Sequence, residues 1–416
     1  MRDNRIGAMA PGVIRWTCIL AIGLGAAAPA SRAEDGTPLP TATSPRRLAL
    51  GIEGLVSVAT DDRQYFNYSS YDRSATELVR LRAFASFRLA ARAALLAEGR
   101  MDNGEGPRLS AFYLRVRPFA GTPVDVQAGR IPPVFGAFAR RAYGADNPLI
   151  GQPFVYQYLT SLRSDALPAS ADDLLRMKGQ GWGNHYPVGS PAWDHGLPLV
   201  AGDRWDTGLQ VRWAGQRVSL AAAVTQGTLS NPRVRDDNSG KQVSGRLEVR
   251  PVLGLVLGAS AARGDYLSRG AVAAVPAAAR RGSRAQQAFG ADAEFSRGHW
   301  LVRGEGVVSR WALPALQPPF VSSPLRAWGV FVEARRKLRP GLFAAARYDH
   351  VGFSRITGSP GYGSTTTWDA PVSRLEAGAG FSLRRNLLLK AAVQQNWRQG
   401  AERSEKVAAV QTLFWF

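Results

Sequence analysis

The stretch Leu78-Val79-Arg80-Leu81-Arg82-Ala83-Phe84-Ala85-Ser86-Phe87-Arg88-Leu89-Ala90 decides how this chain is read. Val79, Leu81, Ala83, Ala85, Phe87 and Leu89 fall on one parity, and Arg80, Arg82, Phe84, Ser86 and Arg88 on the other. Side chains alternate between the two faces of a strand, so this pattern predicts one long strand with one apolar face. Strands of soluble proteins commonly run about five or six residues. A tilted strand of about nine to eleven is what a hydrocarbon core of about 30 Å requires.

The same period recurs on both sides of that stretch. Sixteen alternating runs are read at 47–58, 78–90, 91–101, 108–118, 123–130, 206–214, 217–227, 241–250, 254–264, 285–297, 299–311, 326–338, 342–353, 372–384, 387–398 and 404–416. Short turns, such as Ala214-Gly215-Gln216 and Arg339-Pro340-Gly341, alternate with mostly longer loops at 59–77, 131–205, 228–240, 265–284, 312–325 and 354–371. In lipid every backbone polar group needs a partner, and only a closed sheet leaves no unpaired edge. The expected fold is therefore an all-β, transmembrane antiparallel barrel of about sixteen strands over 47–416, with loop 131–205 inserted into or over the lumen. Phe87, Phe112, Trp213, Trp300, Trp311, Trp328 and Trp397 lie near strand ends, where interfacial girdles are expected.

The start of the chain fits export. Residues 1–33 read as a signal peptide: Arg2, Arg5 and Arg15 make a basic start, Trp16 to Ala30 is apolar, and Ala28-Pro29-Ala30 and Ser31-Arg32-Ala33 end on small residues. Cys18, the only cysteine, lies inside this segment, so the mature chain is expected to have neither disulfide nor thiol chemistry. Residues 34–46, rich in Pro and Thr, read as a disordered lead-in. No run of eighteen apolar residues follows, so a helical membrane protein is not expected. Removing four Arg and one Asp with the signal leaves 48 basic and 31 acidic residues, a net of +17.

If the apolar parity faces lipid, the other parity lines the lumen. Several lumen charges are same-strand neighbours of opposite sign, including Glu98/Arg100, Arg303/Glu305, Glu333/Arg335, Arg347/Asp349 and Arg374/Glu376. These are expected to brace the wall as ion pairs. Arg80, Arg82, Arg88, Arg92, Arg115 and Arg117 crowd strands two to four with little acid in sequence nearby, a basic stripe expected to draw small anions. Loop 131–205 is rich in aromatics, and Tyr143, Tyr156, Tyr158, Trp182 and Trp193 are the candidates to form a constriction.

Enzymatic chemistry finds little support. His185, Asp194 and His195 could hold zinc, Ser190 or Ser161 with His195 could suggest a hydrolase, and Asp172-Asp173 or Asp236-Asp237 could bind calcium. None has a motif spacing, so neither catalysis nor a metal or other cofactor is expected. An exported chain without a known nucleic-acid module is not expected to bind nucleic acid, despite its basic charge.

The final strand places Ala408, Val410, Thr412, Phe414 and Phe416 on one face and stops on Phe416. This resembles the C-terminal strand of outer-membrane barrels, which the barrel-insertion machinery reads. In strand count, loop order and terminal Phe the mature chain resembles porins, whose third long loop folds into the barrel and narrows it. Gly129-Arg130-Ile131-Pro132-Pro133-Val134-Phe135-Gly136 is similar to the Gly-x-x-x-x-Pro-Phe-Gly stretch of phosphate- and pyrophosphate-selective porins, with Val134 interrupting the Pro-Phe pair. That family's phosphate site does not map onto this sequence, so its substrate is not carried over. The resemblance implies a passive channel for small polar solutes, and the surplus of lumen-facing arginines adds the expectation of a mild anion preference. The resemblance also implies outer-membrane location, contact with membrane lipid and lipopolysaccharide, and a possible homotrimer. The alternative is a barrel with a plugged lumen, acting in binding, adhesion or structure.

Overall fold

The computed structural model describes residues 47–416 except 71–72, 139–143, 203–204, 239, 363–364 and 400–402. The signal-peptide reading of 1–33, the lead-in 34–46 and Tyr143 lie outside the described residues.

Sixteen antiparallel strands close into one barrel. They are β1 (Leu48–Ala59), β2 (Leu78–Ala90), β3 (Ala93–Asp102), β4 (Arg108–Val116), β5 (Val124–Ile131), β6 (Asp206–Ala214), β7 (Val218–Thr225) and β8 (Gln242–Val249). The other eight are β9 (Leu255–Asp265), β10 (Ala285–Arg297), β11 (Trp300–Trp311), β12 (Leu325–Arg339), β13 (Leu342–Phe353), β14 (Val372–Arg384), β15 (Leu387–Arg398) and β16 (Arg403–Trp415). Each predicted run overlaps one of these strands, with ends shifted by one or two residues at most.

Each strand pairs with the next in sequence, and β1 closes the ring by pairing with both β2 and β16. Closure extends to the last residue, where the amide of Phe416 donates to Ile52 O (2.9 Å) and the Ile52 amide donates to Phe416 O (3.1 Å). The Phe414 ring lies over Gly54, where a Cβ would collide with it, so a residue without a side chain stands there.

Parity sets the two faces. On β2, Leu81 is 40% exposed on the outside while its neighbour Arg82 is 5% exposed inside. Phe87, Phe112, Trp213, Trp300, Trp328 and Trp397 all face outward. Trp311 does not. It shares parity with buried Ser309 rather than with exposed Val308, is fully buried, and packs edge-on against Trp368 at 6.1 Å.

The barrel has a core inside it. Loop 132–205 enters the lumen and brings Phe135, Phe138, Phe154, Tyr158 and Leu162 against Trp311, Phe331 and Phe353 of the inner wall. Short helices α1 (Phe154–Gln157) and α2 (Ala171–Arg176) shape this loop, and α3 (Arg269–Ala274) lies in the loop after β9.

Candidate functional site: the barrel lumen

The lumen is bounded by charged side chains that strand alternation turns inward. On β2, Arg80 Nε donates to Asp102 Oδ1 at 2.7 Å, and Asp102 also receives Arg100 (3.1 Å) and Arg73 (3.9 Å). Arg82 lies 3.8 Å from Glu53 across the β1–β2 ladder. Arg115 and Arg117 share Asp125, at 2.5 and 2.9 Å. Arg88 is half-buried, and Arg92 is exposed at the turn between β2 and β3.

The basic stripe is therefore not short of acid, which corrects the sequence expectation. The predicted third run ended at residue 101, one position before Asp102. Glu53 and Asp125 sit on neighbouring strands, a proximity that register alone decides.

Of the expected same-strand pairs, Arg246–Glu248 (3.4 Å), Glu248–Arg250 (2.7 Å) and Arg347–Asp349 (3.4 Å) form, while Arg303/Glu305 and Arg374/Glu376 are corrected. Arg303 binds Glu294 (2.9 Å) and Glu333 (3.7 Å) on the two flanking strands, while Glu305 takes other partners. Arg374 binds Asp349 (3.0 Å) rather than Glu376. Arg347 stands at the centre of a fully buried cluster with Glu376 (2.6 Å), Glu333 (3.2 Å) and its own-strand neighbour Asp349 (3.4 Å). Directly opposed side chains on adjacent strands lie about 4.5–5.5 Å apart, closer than the roughly 6.7 Å between alternate residues of one strand, so the cross-strand partner wins.

The inserted loop docks onto this charged wall through its backbone. The Ile150 and Gly151 amides donate to Glu376 Oε1 at 3.2 and 2.9 Å. Arg347 donates to Gly151 O at 2.5 Å, and Arg374 donates to Gln152 O. Lys390 Nζ donates to the carbonyls of Gly144 (2.6 Å), Asn147 (2.8 Å) and Leu149 (3.2 Å). Glu305 accepts from the Ala137 and Phe138 amides and from the Tyr156 hydroxyl. An irregular segment carries unpaired N–H and C=O groups, and burying it requires such partners. The wall strands β11 to β15 supply them, which sequence reasoning missed because nothing local couples loop and wall.

The constriction candidates separate. Tyr156 and Tyr158 are buried in the luminal core, with the Tyr158 hydroxyl donating to Ala370 O at 3.2 Å. Trp182 stacks on Tyr65 with ring centres 4.2 Å apart, whereas Trp193 is 58% exposed beside His185. His195 Nδ1 lies 2.7 Å from Asp194, and Ser161 Oγ is committed to Met177 O at 2.9 Å.

An apolar exterior, a closed ladder and a charged, loop-filled interior define a transmembrane β-barrel of the outer-membrane class. Its particular fold is that of the sixteen-stranded porins. The chain superposes on the OmpF porin of Salmonella typhi, solved with daunomycin, with TM-score 0.54 and 11% identity over 92% of this chain and 99% of that one. It superposes on the anion-selective porin of Comamonas acidovorans with TM-score 0.52 and 10% identity, covering 89% and 100%. The trimer form of OmpT, an outer membrane protein of Vibrio cholerae, gives TM-score 0.51 and 10% identity, covering 89% and 99%. At these identities the likeness is one of fold. No protein-family profile and no curated protein sequence matches the chain.

Proposed function

We propose that the protein is a porin-like channel for passive diffusion of small polar solutes across the outer membrane, with a mild anion preference. The observation that carries the reading is the unequal occupation of the lumen. Loop 132–205 is docked on β11 to β15, where Glu305, Glu333, Arg347, Asp349, Arg374, Glu376 and Lys390 are buried beneath it. On the opposite side, the inward Arg88, Arg115, Arg212, Glu248 and Arg250 remain partly accessible. Solutes would pass between the loop and this second wall, sorted by size and by its charge. Pairing of Arg80, Arg82, Arg115 and Arg117 with acids keeps the field weak, so the anion preference is small. Assembly as a homotrimer, contact with lipopolysaccharide and recognition by the barrel-insertion machinery belong to the same reading.

A second reading is favoured by the apolar cluster inside the barrel: packed around Phe154, Trp311 and Trp368, it could stopper the lumen and leave binding or a structural role. Single-channel recording in a planar bilayer separates the two. The channel reading expects steady, ohmic steps from the purified protein; a silent bilayer with correctly inserted barrel refutes it.

A further inference from the structure

One row of the outer wall breaks its apolar pattern. Ala261, Phe289, Val308, Trp328 and Gly352 follow one another across β9 to β13 by direct register. Two residues nearer the long loops, the next outward row reads Arg263, Gln287, Arg310 and Arg326. Phe289 and Trp328 are broadly exposed, as girdle residues are, so the arginines stand about 6.7 Å beyond the girdle, at headgroup level.

The electrostatics of this row are unfavourable as they stand. Arg310 and Arg326 are directly opposed on neighbouring strands, and like charges in that position repel. Among the described residues, no ion pair or hydrogen bond joins the three guanidinium groups to a partner, and Arg310 Nε is buried without an acceptor. The acid nearest in sequence on this face is Asp265, beyond Arg263 on β9. Four adjacent strands span about 14 Å, so the groups can converge on one ligand. Guanidinium groups pair bidentately with phosphate oxygens, and lipid-facing arginines meet phosphate where headgroups lie.

We infer that Arg263, Gln287, Arg310 and Arg326 form an external site for the phosphorylated headgroup of an outer-leaflet lipid, lipopolysaccharide. The site needs the outer-membrane placement but not solute passage. A bound phosphate removes the repulsion between Arg310 and Arg326.

The test uses the full mature chain refolded in lipid-free detergent, with folding verified by heat-modifiable gel mobility. Lipopolysaccharide, phosphatidylglycerol vesicles and sodium phosphate are titrated separately, with bound lipid read by native mass spectrometry and stability by thermal melting. Lipopolysaccharide is expected to bind and raise the melting temperature. R310Q/R326Q should weaken it by about tenfold or more, the loss of one or two charge-assisted contacts. K337Q/R339Q, at the opposite rim, should not. Without lipid, R310Q alone should melt no lower than wild type, because it relieves a repulsion; it also serves if the double variant does not fold. Unchanged lipopolysaccharide binding in R310Q and R310Q/R326Q overturns the site. So does an equal response to phosphatidylglycerol, or to millimolar phosphate alone. Conductance of R310Q/R326Q, read in parallel, reports on the channel reading independently.

Discussion

Lys390 shows what single side chains do in this lumen. Its ammonium is buried and satisfied by three loop carbonyls rather than by a carboxylate. Replacing it with Met, of similar length, leaves those carbonyls unpartnered. Each orphaned group costs about 1–3 kcal/mol unless water reaches it. Lys390→Met should lower the detergent melting temperature and expose residues 144–150 to protease, while the barrel keeps its folded gel mobility. A melting temperature equal to wild type would mean that the loop is held elsewhere. Asp165 gives a pH-dependent counterpart. Burial alone would raise its carboxyl, but bonds from Arg163 Nη2 and Nε, at 2.8 and 2.9 Å, hold it below the ordinary carboxylate range. A depressed carboxyl contributes stability above its unfolded pKa, about 3.9, and loses it as pH falls through the folded value. Amide protection in residues 160–195, taken relative to the intrinsic exchange rate at each pH, should therefore fall on acidification below about pH 4. In Asp165→Asn the protection should already be low at neutral pH. Parity placed Lys390 and Arg347 inside the barrel from sequence; it could not show that their partners are backbone atoms of a loop some two hundred residues away.

At the scale of the strand, lipid and lumen impose opposite rules on alternate residues. Leu81 lies outward on β2, three residues in from its long-loop end, and pairs with Gly54 on β1. Leu81→Arg should destabilise the barrel by about 1–4 kcal/mol, a basic side chain costing more the nearer it lies to the bilayer midplane. Equilibrium unfolding from vesicles measures it, and a change below roughly 1 kcal/mol would place Leu81 near an interface instead. Gly129 on β5 tests the ladder differently. It holds φ of +126°, and a Cβ there would lie 2.4 Å from Phe112 O on β4. Such backbone is open to glycine and strained for other residues. Gly129→Ala should therefore lower the folded fraction after refolding. The strands were legible because period two is written locally. The inward turn of Trp311 was legible too, had its parity been set above its place at a strand end.

For the whole molecule, selectivity depends on which charges remain unneutralised. Asp125 is held by two arginines at once, Arg115 and Arg117. Asp125→Asn should remove the carboxylate that both arginines share and raise the preference for chloride over potassium, read as a reversal potential under a salt gradient. Arg80→Gln should move it less, since Asp102 keeps Arg73 and Arg100. Both effects should fade with salt, because the Debye length is about 8 Å at 0.15 M. Excision of the central part of loop 132–205 should enlarge single-channel conductance while the barrel still closes, because the lipid-facing wall does not depend on it. Unchanged conductance would remove the loop from the permeation path.

The number of strands, their faces and the closure of the barrel were legible along the chain. Each of these follows from local alternation, from turn residues and from the need to pair every backbone group in lipid. Which charges meet, and that loop 132–205 packs inside the ring, follow from closure of the barrel. Ion pairs form across neighbouring strands at distances set by register, and the loop docks by backbone groups that no side-chain pattern encodes. Asp102 beside Arg80, Glu53 beside Arg82 and Glu376 beneath Gly151 are therefore products of the closed ring, invisible along the chain.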